Sequence, residues 1–203
     1  MPGPLPLNTN LPSWYSDLAG KKKAPSVKQM LLGSCRSDCR LAHRSMVGSK
    51  ARMSDRRFVV EHRGGPLRKE QHYQLIEWAC DCARHVLHLY GRRIDRRLIE
   101  ALTVADAWRR GEASVGEARK ASIRAIAVAR ESTDKAAVAV ARAVGHAVAT
   151  AHMADHSLGS AWYALKAVRA ADGSVEEERK WQDRQLPQAI RGLVLTARKV
   201  RNV

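Results

Sequence analysis

The residues of this 203-residue chain whose types and spacing could do chemistry crowd into one stretch: Gly145-His146-Ala147-Val148-Ala149-Thr150-Ala151-His152-Met153-Ala154-Asp155-His156. Three imidazoles and a carboxylate stand there among small apolar side chains. Imidazole is the commonest metal ligand and the side chain whose charge changes nearest pH 7. If the stretch is helical, His152 and His156 lie one turn apart, about 40° on the wheel, and the two rings could share a metal ion. His146 falls about 80° further from His156 and makes no obvious third ligand, while Asp155, about 60° from His152, could orient that ring. A structural reading stands beside this one, because histidines near a helix C-terminus gain from the dipole and can bond its last carbonyls. The glutamate that follows the first histidine in His-Glu-x-x-His proteases is missing. Arg142 lies among the alanines of the same stretch and, if buried, needs a carboxylate, for which Glu117 and Asp106 are the candidates. The candidate polar cluster is therefore His146, His152, Asp155, His156, Glu117 and Arg142. No catalytic residue and no cofactor are assigned.

Other chemistry finds no support in the text. There is no Gly-x4-Gly-Lys-Ser/Thr loop, no Gly-x-Ser-x-Gly elbow and no Gly-x-Gly-x-x-Gly turn. The four cysteines, Cys35, Cys39, Cys80 and Cys82, lack the spacing of a standard zinc site. Two residues on a helix means about 200° of rotation, which puts Cys82 on an apolar stripe and Cys80 off it; buried free thiols are the expectation. Trp78 and Trp181 read as packing residues.

The elements that must position these residues are helices with clear punctuation. A first helix is predicted from about Lys69 to Tyr90, with Leu75, Ala79, Cys82, Ala83, Val86, Leu87 and Tyr90 along its apolar face, stopped by Gly91. Asp95 caps a second, which ends before Gly111. Ser114-Val115-Gly116-Glu117 has the capping-box form and opens a third. Asp134 caps a fourth, running from Lys135 to about His156, so apolar around its circumference that it should be central. A fifth carries Leu158, Ala161, Trp162, Leu165 and Val168 up to Asp172-Gly173. A second capping box, Ser174-Val175-Glu176-Glu177, opens a final segment that Pro187 kinks or splits. Upstream, Phe58 to Glu61 reads as a short extended stretch ended by Gly64-Gly65-Pro66. The expectation is an all-α single domain of about six antiparallel helices, without a fixed-period repeat.

Residues 53–203 form that predicted body. Residues 1–52, with Pro2, Pro4, Pro6, Pro12, Pro25 and Lys21-Lys22-Lys23, read as a basic disordered extension, or as text ahead of a true start at Met53. The net charge is +16, and residues 1–53 hold nine Lys and Arg against two acids. Such a surplus attracts any polyanion without choosing among them, so nucleic-acid binding from charge alone would be weak and salt-sensitive. The most apolar stretch, Ala136 to Ala154, contains Arg142, His146 and His152 and does not suit a bilayer, and no signal peptide is legible. The expected location is the cytoplasm.

Three stretches carry a resemblance: Phe58-Val59-Val60-Glu61-His62-Arg63-Gly64-Gly65-Pro66-Leu67, Trp78-Ala79-Cys80-Asp81-Cys82-Ala83, and Gly145 through Gly159. Together they resemble bacterial immunity proteins of the immunity protein five-like group, linked to polymorphic toxin systems, over about residues 55 to 196. The resemblance implies an all-helical protein that binds and neutralises a cognate toxin, and it brings no catalytic residues. A body with a net +9 suits an acidic toxin, or one that is not a nuclease. The alternatives are a metal-binding protein or enzyme using His152, His156 and Asp155, and a basic nucleic-acid-associated helical protein.

Because residues 1–52 show no apolar periodicity to add to a core, a chain beginning at Met53 should unfold at the same thermal midpoint as the full chain. A midpoint lower by several degrees would show that the upstream residues pack against the body.

Overall fold

The structure, a computed structural model, describes residues 55–201, which fall in one compact unit. The expectations for residues 1–52, for Cys35 and Cys39 and for a start at Met53 lie outside the described residues. Within them the chain is all-helical, with one isolated bridge, Val60 to Leu67, and no strand.

The sequence punctuation is realised as side-chain caps. Asp95 accepts from the Arg97 amide at 2.8 Å ahead of α2 (Arg96–Arg109). Ser114 and Glu117 close a reciprocal capping box ahead of α3 (Val115–Glu131). Asp134 accepts from the Ala137 amide at 2.6 Å and opens α4 (Lys135–Ala149). Ser174 accepts from the Glu177 amide ahead of α6 (Val175–Arg184). Each cap satisfies a helix-end donor that would otherwise go unpaired. The remaining helices are α1 (Lys69–His85), α5 (His156–Ala170) and α7 (Gln188–Arg201).

Several boundaries differ from those expected. Pro187 splits the final segment, so there are seven helices where six were anticipated; its ring and missing N–H cannot continue α6. The first helix stops at His85, and a 3-10 turn, Leu87–Tyr90, takes Val86 and Leu87 fully into the core. Of Phe58 to Glu61 only Val59 and Val60 are extended, with Val60 bridged to Leu67. Two 3-10 turns, Arg56–Phe58 and Glu61–Arg63, occupy this region, the first capped by Asp55 and the second reversed at Gly64, whose φ is +76°. The fourth helix ends at Ala149 instead of near His156. Thr150 donates its hydroxyl to the His146 carbonyl, and its own carbonyl accepts from His72 Nε2 at 2.6 Å. A partner 78 residues away thus ends the helix, where no local cap signals a stop.

α4 is the centre: eleven of its fifteen residues are buried, and α1, α2, α3 and α5 all pack on it. Small side chains set the spacing. A methyl added at Gly145 would sit 2.5 Å from Ile126 Cγ1 of α3, and one at Gly159 of α5 only 2.6 Å from His146 Nδ1. The Ser160 hydroxyl is shared between the carbonyls of Ala79 and Ala143, pinning α5 to α1 and α4 together. α6 and α7 close over α1. Trp78 Nε1 donates to the Gln182 carbonyl at 2.9 Å, and the buried Arg198 guanidinium meets Asp183 and Gln182 while lying over the Trp78 ring. Because α2, α4, α5 and α7 all contact α1, Cys80 is buried as fully as Cys82, contrary to the single-stripe reading, and burial pushes both thiols up.

Overpacking a close helix contact costs ~1–3 kcal/mol. Gly145→Ala should lower the urea midpoint accordingly with an unchanged slope, and combining it with Ile126→Ala should cost less than the two losses added. Strict additivity would mean that α3 and α4 do not meet at this point.

Candidate functional site

The end of α4, the turn 150–155 and the start of α5 fold back on one another, and this reversal assembles the histidines. His146 and His156 face each other with their Nδ1 atoms 3.2 Å apart, so one of the two carries the proton and donates it to the other. His152 sits beside His156, ring centroids 5.1 Å apart. His146 also stacks on Tyr163 of α5 at 5.1 Å, and Tyr163 meets Trp162 edge-on at 4.9 Å. The approach is possible because Gly159 presents no side chain to the His146 ring. His146, which the helical wheel sets apart, is therefore the middle member of the cluster. The pairing of His152 with His156 is made by a turn and a new helix, since α4 has already ended.

The other candidates separate. Glu117 is committed to its cap, accepting from the Ser114 amide at 2.7 Å and the Ser114 hydroxyl at 2.9 Å, bonds that hold its carboxyl below the usual range. Arg142 is exposed, not buried: it projects from the outer edge of α4, with its guanidinium 5.6 Å from the Tyr163 ring centre. Asp106 pairs with another arginine, Arg84, at 2.5 Å. Arg84 also reaches Asp81, whose carboxyl burial pushes up to about 6. Asp155 lies at the start of α5, and its charge partly offsets the other influences on His152.

Burial pushes His146 down to about 4, aided by His156 and Arg142, and burial likewise lowers His152 to about 4, aided by His156, Arg119 and Arg63. Both rings are consequently neutral at pH 7. Arg63 approaches the turn directly, 3.5 Å from the His152 carbonyl. His152 Nδ1 is buried without a hydrogen-bond partner. Among the described residues, no three His, Cys, Asp or Glu side chains are grouped to hold a metal ion. What the arrangement presents is a run of five rings, each meeting the next, with cations along its edge.

A second constellation was not legible in the sequence. His85, at the end of α1, stacks face to face on Trp181 of α6 at 3.6 Å and donates from Nδ1 to the buried Glu178 at 2.6 Å. Glu178 is completed by Gln182 Nε2 at 2.8 Å. His85, Glu178 and Trp181 line a cleft of about 570 Å³ with Val86, Leu89 and Val168. His85 and Glu178 are 93 residues apart, and neither stands in a motif. The one local signal is the Ser174 cap that opens α6. Trp181, read as a packing residue, packs on His85 and lines this cleft.

The depressed imidazoles predict a pH dependence of stability. In the unfolded chain each takes a proton near 6.5, in the folded chain only near 4. The unfolded state thus binds more protons between those values, so stability falls as pH drops through that window and levels off below it. Asp81 acts in the opposite sense between 3.8 and about 6, because there the folded state holds the extra proton. His146→Gln should therefore lose less stability than the wild type between pH 6.5 and 4. Equal losses in the two proteins would place the titration elsewhere.

Comparison with known proteins bears on the whole body and not on one cluster. No curated protein and no solved structure matches the chain. The family model described as Imm-5 like putative immunity protein matches residues 65–189, from the turn before α1 to the first turn of α7. That span exceeds half of the chain and includes both constellations; the chain belongs to the Imm-5 like immunity protein family.

Proposed function

We propose that this protein is an immunity factor that neutralises a cognate toxin by occupying its surface. The family match over residues 65–189 carries the reading. The geometry of the histidine cluster supports it. An imidazole held neutral by burial, bonded to His156 and stacked on Tyr163, suits recognition better than proton transfer. A general base would need its free nitrogen turned to a reacting position. An antidote needs only a stable interface of standard size and no turnover. The net charge of +16 favours an acidic toxin face.

The test is co-expression with the toxin encoded beside this gene, using the wild type and a His152→Gln/His156→Gln double variant of unchanged thermal midpoint. Amides of similar size keep the shape of the cluster but cannot shuttle protons at neutral pH. Protection by both forms, with a complex that co-purifies, is the expected outcome. Protection by the wild type without any complex, and none by the double variant, would replace binding with catalysis.

A further inference from the structure

Large exposed apolar side chains are few in the described body: Val115, Ile123, Met153 and Val200. Three of the four belong to one region. α3 and α4 run antiparallel, with the Ser122 hydroxyl donating to the Gly145 carbonyl at 2.9 Å, so the first turns of α3 lie alongside the end of α4 and the turn that follows it. Val115, Arg119 and Ile123 recur every fourth residue along α3 and share an outer face. That antiparallel pairing places the stripe beside the turn where Met153 stands exposed, and the Arg119 charge helps lower His152. Apolar side chains left in water in a group, in a described body that exposes only Val200 besides them, mark a contact surface.

The ring array continues this region onto α5. From His152 the contacts pass to His156, His146, Tyr163 and Trp162, with neighbouring centroids 4.9 to 5.2 Å apart. Four exposed cations border it: Arg63 at the turn, Arg119 on α3, Arg142 over Tyr163, and Lys166 3.8 Å above the Trp162 ring. Aromatic residues, Met and Arg, with few acids in the middle, are the composition of interface centres. The carboxylates nearby are Asp155, half-buried beside the cluster, and Glu117, already engaged by Ser114. The region is therefore apolar and aromatic at its centre and cationic at its border.

We infer that this face, formed by the outer stripe of α3, the turn 150–155 and the aromatic edge of α5, is where the protein docks an acidic surface of its toxin partner. The inference rests on the immunity reading and adds to it the site and the partner's charge. A single-stranded nucleic acid would also be drawn to cations and aromatics, but it needs open ring faces on which bases can stack. Here Lys166 covers Trp162, Arg142 lies over Tyr163, and the imidazoles face one another or Tyr163. The cations are set to meet carboxylates, and Val115, Ile123 and Met153 supply the apolar contact.

The experiment measures the affinity of the co-expressed adjacent toxin for three forms of the full chain. These are the wild type, an Arg63→Glu/Arg119→Glu/Arg142→Glu variant, and a Lys180→Glu/Arg184→Glu control on α6, whose two cations line the cleft beside His85. A neutral Arg119→Gln/Arg142→Gln form, with thermal midpoints for all, guards against loss of folding. Reversing border charges should weaken binding by about tenfold or more and invert its salt dependence, whereas the control should change it little. The neutral form should fall between the wild type and the triple variant. Full affinity in the folded triple variant, or a larger loss in the control, overturns the docking face and leaves the immunity reading standing. If the wild type forms no complex, both fall together. Tight binding of mixed-sequence single-stranded RNA that the triple variant alone loses, with toxin binding untouched, reassigns the face to nucleic acid.

Discussion

The closeness with which helices can approach α4 governs the rest of this structure. A helix of alanine, glycine and valine offers little side-chain volume, so its neighbours come near enough for backbone groups and short hydroxyls to bond directly. The shared Ser160 hydroxyl and the Ser122 bond to the Gly145 carbonyl exist only at that range. Cores of small residues bury modest area per residue and depend on dense, uninterrupted contact. That is why single methyl groups at Gly145 or Gly159 would matter more here than in a leucine-rich core.

The same constraint creates the histidine array. With α4 and α5 pressed together, the imidazole at position 146 lies against Gly159, its Nδ1 edge meets His156 and its face stacks on Tyr163. Burial then keeps the ring neutral, which allows two imidazoles to share a hydrogen bond without repulsion. The cations nearby remain in solvent at the border. Packing at the centre and charge at the margin thus arise from one geometric cause, and the result is a surface suited to a protein partner.

The second constellation obeys a different rule. Glu178 is buried, and a buried carboxylate must be bonded on its free lone pairs. His85 and Gln182 provide those bonds, while Trp181 covers the imidazole face. This group ties α6 to the end of α1, as Arg198 ties α7 to Trp78. α6 and α7, which lie outside the alanine core, are held by polar anchors instead of by close approach.

The sequence by itself determined the helical class, the starts of α2, α3, α4 and α6, and the central place of α4. These depend on local signals: a cap residue and its third neighbour, a period of 3.6, and an alanine-rich circumference. Pro187 likewise announced a break that its ring makes unavoidable. Tertiary structure alone decided where α4 stops, because the Thr150 carbonyl is taken by His72 and not by a neighbour in the chain. It also decided which histidines meet. His152 and His156 were legible as a pair, but His146 joins them only through a reversal between two helices. Arg142 looked buried because its neighbours are alanine, yet it stands on the solvent edge of α4, a direction that composition cannot specify. Contacts between residues far apart in the chain, such as His85 with Glu178, leave no local trace, since each side chain is ordinary until the fold supplies its partner.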